Sequence, residues 1–161
     1  MTQETYSNNF LQNNGFTFSL IRIPQTIFRC TTVDIPSLTV PAASAPYTQG
    51  EQFFPGTANE FDELSLSFLV DENLDNYEEL YRWITQQRSY ENQVPRNDKE
   101  SFMVSDGVLI TMTNSFNAGR TFYFKDLFPV TLGTLHFDTS VDTVTPVQCT
   151  VSFRYSYFEL R

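Results

Sequence analysis

The sequence predicts a mostly β protein, a β-sandwich or barrel of two antiparallel sheets with one main α-helix, and three observations carry that prediction. Phe and Tyr far outnumber the single Trp, and β-branched residues are plentiful, which favours sheet. The closing segment Pro146–Leu160 alternates for longer than any other: Val147, Cys149, Val151, Phe153, Tyr155 and Tyr157 on one side, Gln148, Thr150, Ser152, Arg154 and Ser156 on the other. At about 3.3 Å per residue it could span on the order of 45 Å. Helical spacing, by contrast, is convincing only over residues 73–88.

A strand with one apolar and one polar face belongs to an antiparallel sheet that is wet on one side. One of this length points to a sheet that continues beyond the monomer. The 161 residues suit a single domain, spanning 1–161.

Residues 1–14 form a polar N-terminal arm without the basic region, apolar run or cleavage site of a signal peptide, so synthesis and assembly in the cytoplasm are expected. Phe16, Phe18 and Leu20 then alternate in a first strand, and Ile27–Ile35 forms a second. There Phe28, Cys30 and Thr32 face opposite to Ile27, Arg29, Thr31 and Val33. The intervening Pro24-Gln25-Thr26 predicts a hairpin. Residues 37–59 carry Pro41, Pro46, Gly50, Pro55 and Gly56 among Tyr47, Phe53 and Phe54. A Pro-rich loop of that length is either an interaction arm or a cover folded back on the core.

Phe61–Val70 places Leu64, Leu66, Phe68 and Val70 on one face and Glu63, Ser65, Ser67 and Leu69 on the other. Asn73 is positioned to cap the helix that follows, Asp75 favours its dipole, and Leu74, Tyr77, Leu80, Tyr81 and Ile84 make its apolar stripe with Trp83 at the border. The helix is expected to cover a sheet face or plug the open end of a sandwich. After a polar connection, Ser89–Lys99, come strands at Phe102–Thr113 and Thr121–Leu127 joined by a turn-rich loop at 114–119, a strand at Leu132–Thr139, and the closing strand.

Nineteen acidic against ten basic side chains give a formal charge of −9, with a run of acids between Glu60 and Glu79. That balance opposes a protein that grips nucleic acid, which needs clustered Lys and Arg. It suits a surface past which a polyanion slides, and equally simple solubility. Enzyme chemistry is not expected. His136 is the only histidine, Cys30 and Cys149 lie on separate strands, and no zinc spacing, nucleophile elbow or phosphate loop occurs. Asp62-Glu63 and Asp71-Glu72 are adjacent pairs, which on a strand face opposite ways. No metal, cofactor or catalytic residue is therefore assigned, and with no run near 20 apolar residues no membrane anchor is expected.

Three segments in order, Phe61–Glu72 running into Asn76–Ile84, Phe124–Asp138, and Gln148–Phe158, resemble the tail tube proteins of contractile-tailed bacteriophages, the family of the T4-type tube subunit. The resemblance implies a tail-tube fold and a structural subunit of the virion tail. It implies stacked hexameric rings whose strands join into one barrel, around a channel through which genomic DNA passes without sequence-specific binding. Partners would be further copies of the chain, the tail sheath protein, and baseplate or tube initiator proteins. A tube-initiating baseplate protein of the same fold is an alternative, and a small-ligand-binding β-barrel a weaker one.

In that setting Glu63, Ser65, Ser67, Gln148, Thr150, Ser152 and Arg154 are expected to line the lumen. An arginine ring there would hold DNA unless Glu63 or another acid pairs with it. Tyr47, Phe53 and Phe54 are expected to contact a neighbouring subunit or ring.

Overall fold

A computed structural model describes residues 10–11, 13–23, 30–48, 50–56, 58–87, 104–140 and 144–161. Most of the polar N-terminal arm, the Pro24–Thr26 connection with Ile27–Arg29, and the Ser89–Lys99 connection lie outside these residues.

The protein is mostly β, with antiparallel strands β1 (Phe16–Leu20), β2 (Cys30–Asp34), β3 (Leu38–Thr39), β4 (Ala42–Tyr47), β5 (Gly50–Pro55), β6 (Glu60–Phe61), β7 (Leu64–Leu69), β8 (Ser105–Met112), β9 (Ala118–Leu132), β10 (Gln148–Arg154) and β11 (Tyr157–Leu160), and helix α1 (Asp75–Gln86). Seven strands join in the order β1-β8-β9-β10-β7-β2, with β11 also against β9. β9 is the pivot. Its earlier part pairs with β8 and β11, and its last residues with β10.

Asp126 makes this possible. Its φ of 55° inserts a left-handed residue into the strand, and side-chain parity inverts there: Phe124 is buried before it, Leu127 and Pro129 after it. Asp126 N–H donates to Asp106 Oδ1 (3.3 Å), Ser156 Oγ to Asp126 Oδ2 (3.1 Å), and Ser156 N–H to the Lys125 carbonyl (2.9 Å). The closing segment breaks opposite this kink. Instead of one long stave, Pro146–Leu160 forms β10 and β11, and alternation inverts at Tyr155–Ser156 so that Phe158 packs inward while Tyr157 is exposed.

The core lies between the inner faces of the two sheets. Phe18, Leu20, Leu109 and Phe124 come from one, Leu64, Leu66, Phe68, Cys149, Val151 and Phe153 from the other. Each such side chain, once buried, contributes on the order of 1.5–3 kcal/mol of transfer free energy. α1 adds Leu80 and Trp83, whose ring lies 6.1 Å from that of Phe153. The helix stripe is therefore centred on Asn76, Leu80 and Trp83, with Leu74 and Tyr81 exposed, because the large indole takes the middle of the interface.

The predicted Asn73 cap is not made. Leu74 occupies the cap position with φ 61° and no side-chain cap bond. Asn76 does the tying instead: its Nδ2 donates to the Leu69 carbonyl (2.8 Å) and its Oδ1 accepts from Asp71 N–H (3.2 Å).

Two other expectations are corrected. β1 and β2 do not form a hairpin; β1 pairs with β8 and β2 with β7, so they end opposite sides of the sheet path. Alternation fixes which face a strand buries but not which strand it pairs with. The stretch Leu132–Thr139 is irregular beyond Leu132, where Gly133 N–H donates to the Thr150 carbonyl (2.6 Å).

Asn76→Ala is expected to lower stability by about 1–3 kcal/mol by orphaning two backbone groups, seen as a lower urea midpoint at unchanged m. Asn73→Ala should shift stability by less than about 0.5 kcal/mol. Burial, partly offset by a backbone hydrogen bond at Thr32, pushes the Cys30 thiol from 9.0 up to about 11. The fold thus favours the neutral thiol. That stabilisation is complete below pH 9 and is lost as pH rises through 11. Unfolding midpoints should decline across that window, and Cys30→Ala should flatten the decline.

Candidate functional site

The polar residues of β7 and β10 form one continuous surface because the strands pair in matching phase. Gln148 lies opposite Leu69, Thr150 opposite Ser67, and Ser152 opposite Ser65. Directly opposed residues in an antiparallel pair share a face. The Ser67 and Thr150 hydroxyls are 3.3 Å apart. One step past the register, Arg154 Nε donates to Glu63 Oε1 at 3.0 Å. All seven residues thus come together on the side of the sheet away from the core, half-buried or exposed.

The face is wider than the sequence reading had it. Thr32 and Asp34 of β2 lie opposite Ser67 and Ser65, and Thr131 of β9 opposite Ser152. Thr32 was missed because a bulge between Cys30 and Thr32 breaks the simple alternation, so that Cys30 pairs with Phe68 and Thr32 joins the polar side. Thr131 was missed because it falls between the expected strands Thr121–Leu127 and Leu132–Thr139, a gap that β9 spans. Pro129 is buried within β9, where the β9–β10 register shifts. Two carboxylates, Asp34 and Glu63, and one guanidinium, Arg154, set the charge of the face among the described residues.

The Pro-rich segment is a ribbon rather than a loop. Leu38 and Thr39 pair with Phe61 and Glu60 at its root, and β4 pairs with β5 from Ala42–Pro55 out to Tyr47–Gly50. Ser37 Oγ bonds to the Asp62 carboxylate. Phe61 packs against Tyr155 and Phe158, anchoring the root to the core sheets. At Gly56 the chains come so close that a Cβ would lie 2.2 Å from the Pro41 carbonyl oxygen, to which Gly56 N–H donates (2.7 Å).

Beyond the root, β4 and β5 pair only with each other, and each of their residues is exposed. Tyr47 and Phe54 share one face of the ribbon with Ala43 and Ala45, and Phe53 lies on the other. Their exposures of 68%, 46% and 67% are large for aromatic side chains. An isolated two-stranded ribbon is marginal in water, and this one has no support beyond its root among the described residues.

His136 is exposed in the irregular segment after β9, where it lines an open cavity of about 520 Å³ with Phe137, Asp138 and residues 144–148. Among the described residues, no three His, Cys, Asp or Glu side chains gather as metal ligands.

A sandwich with a broad polar outer face and an unsupported apolar ribbon has the build of a structural assembly protein. The chain belongs to the phage tail tube protein family, whose pattern matches residues 7–161. It is 26% identical over 136 residues, 80% of this chain and 74% of the other, to the tail tube terminator protein of Enterobacteria phage T4. In fold it is similar to a chain of the tube-terminating cap of the anti-feeding prophage (TM-score 0.71, 12% identity, covering 99% and 95% of the two chains). It is also similar to a chain of the sheath–tube complex of the extracellular contractile injection system PVC (TM-score 0.68, 14% identity, 96% and 93%).

The Arg154 and Glu63 side chains are 60% and 36% exposed, so solvent screens their attraction. A double-mutant cycle with Glu63→Gln and Arg154→Met, followed by urea unfolding, is expected to give a coupling energy below about 1 kcal/mol.

Proposed function

We propose that this chain is a wall subunit of a phage tail tube, assembling in the host cytoplasm into hexameric rings that stack within the virion tail around a channel for DNA. The observation that supports the reading most is the open sheet path. It ends in β1 and β2, each hydrogen-bonded along one side alone among the described strands. Bare strand edges promote uncontrolled pairing unless something covers them. Edge-to-edge joining of copies around a closed ring satisfies them and places the face of β2, β7, β10 and β9 along a shared wall.

In this arrangement Ser65, Ser67, Gln148, Thr150 and Ser152 present neutral polar groups to the lumen, with Glu63 and Arg154 beside them. The ribbon reaches to an adjacent subunit or ring. Sheath, baseplate and initiator proteins are the further partners of this reading.

Light scattering coupled to size exclusion, with negative-stain microscopy, tests it: sixfold rings or tubes with a central channel support it, and a monodisperse monomer at all concentrations overturns it. A specific observation favours a second reading, the last ring of the tube. The T4 relative is named a tube terminator. A repeating subunit should extend into tubes as concentration rises, whereas a terminator should stop at single rings.

Removing the ribbon aromatics by Tyr47→Ser with Phe54→Ser, or separately Phe53→Ser, should abolish assembly in light scattering. Stability of the isolated subunit should change by less than about 0.5 kcal/mol, because these side chains are exposed. Unchanged assembly in both variants would remove the ribbon from the interface.

A further inference from the structure

We propose that Glu63, backed by Asp34, acts as a charge shield that keeps Arg154 from the phosphates of passing DNA; this rests on the lumen reading above. Arg154 is the one basic side chain on the polar face among the described residues, and guanidinium is the side-chain group best matched to phosphate, which it can grip with two parallel hydrogen bonds. One such group per subunit, repeated around a ring, makes a belt able to neutralise several phosphates at once and slow a moving duplex.

The register answers that hazard. It sets Glu63 directly beside Arg154, where its carboxylate engages Nε at 3.0 Å. Engaging Nε draws the guanidinium across the β7–β10 pair and cancels its charge at short range. The ion pair is too exposed to matter much for stability, so compensation of charge is what it supplies.

Asp34, opposite Ser65 on the next strand, lies diagonally from Glu63 and leaves the face with a surplus negative charge. Counting Asp34, Glu63 and Arg154, the face carries −1 per subunit. Neutralising Glu63 brings it to zero, and neutralising Asp34 as well makes it positive. Multiplied around a ring, these small differences decide whether the wall repels or holds a polyanion.

Fluorescence anisotropy of a short labelled DNA duplex, titrated with wild-type protein, Glu63→Gln, Asp34→Asn with Glu63→Gln, and Glu63→Gln with Arg154→Ala, tests the shield. Wild-type protein is expected to bind negligibly. Glu63→Gln should bind at least about tenfold more tightly at about 50 mM salt and lose most of that gain by about 200 mM, as counterion release requires. Adding Asp34→Asn should strengthen binding further, and adding Arg154→Ala should return it to the wild-type level. Thermal unfolding of each variant confirms that it is folded. In protein that forms rings, no gain in Glu63→Gln, or a gain that survives Arg154→Ala, overturns the shield, and in protein that stays monomeric the reading on which the shield rests is itself overturned. Microscopy of the wild-type preparation decides the ring reading separately.

Discussion

Both sheets hang on one strand, and one left-handed residue within it decides how they meet. A strand with unbroken alternation buries every second side chain from end to end. β9 cannot do that, because its first half must face the core with Phe122 and Phe124 and its second with Leu127 and Pro129. The parity change at Asp126 reconciles the two, and the break at Tyr155–Ser156 repeats it between the neighbouring strands β10 and β11. A non-glycine residue at positive φ is costly. Here it is held by the bonds from its backbone to Asp106 and from Ser156 to its carboxylate, with Lys125 Nζ on Asp106 Oδ2 at 2.6 Å alongside. Two sheets, each wound onto the same strand, then close over one aromatic-rich core.

The polar face depends on the same device. β10 pairs with the end of β9 only after the kink, and that pairing sets Ser152 beside Thr131 while β7 supplies Ser65 and Ser67 from the other side. The surface is thus assembled from four strands that are far apart in the chain. Its charged members end up as neighbours because of register rather than any local motif.

This explains what the sequence made legible and what it hid. Period-two alternation in Leu64–Leu69 and Gln148–Arg154 reads directly from residue type, so the seven polar positions were identifiable and do share a face. Alternation is silent on partners and on bulges. For that reason β1 and β2 were wrongly joined, Thr32 was placed with Cys30, and the closing segment was read as one strand. Pro46 and Pro55 suggested a loop, yet an exposed ribbon tolerates residues without an N–H. The helix was visible from its spacing, but its cap was not, since an Asn three residues beyond the expected position satisfies the backbone from inside the core. A buried side chain serving two distant backbone groups leaves no periodic trace.

The ribbon beyond Gly56 and Pro41 has a kinetic meaning in the proposed assembly. If another molecule supports its outer end, the first encounter between two subunits covers little surface, whereas a newcomer to an existing ring would meet a surface already in place. The initial step would then be slow and later ones fast. Growth of that kind would have a nucleation barrier, leaving free subunits in solution at concentrations that sustain elongation from a pre-existing template.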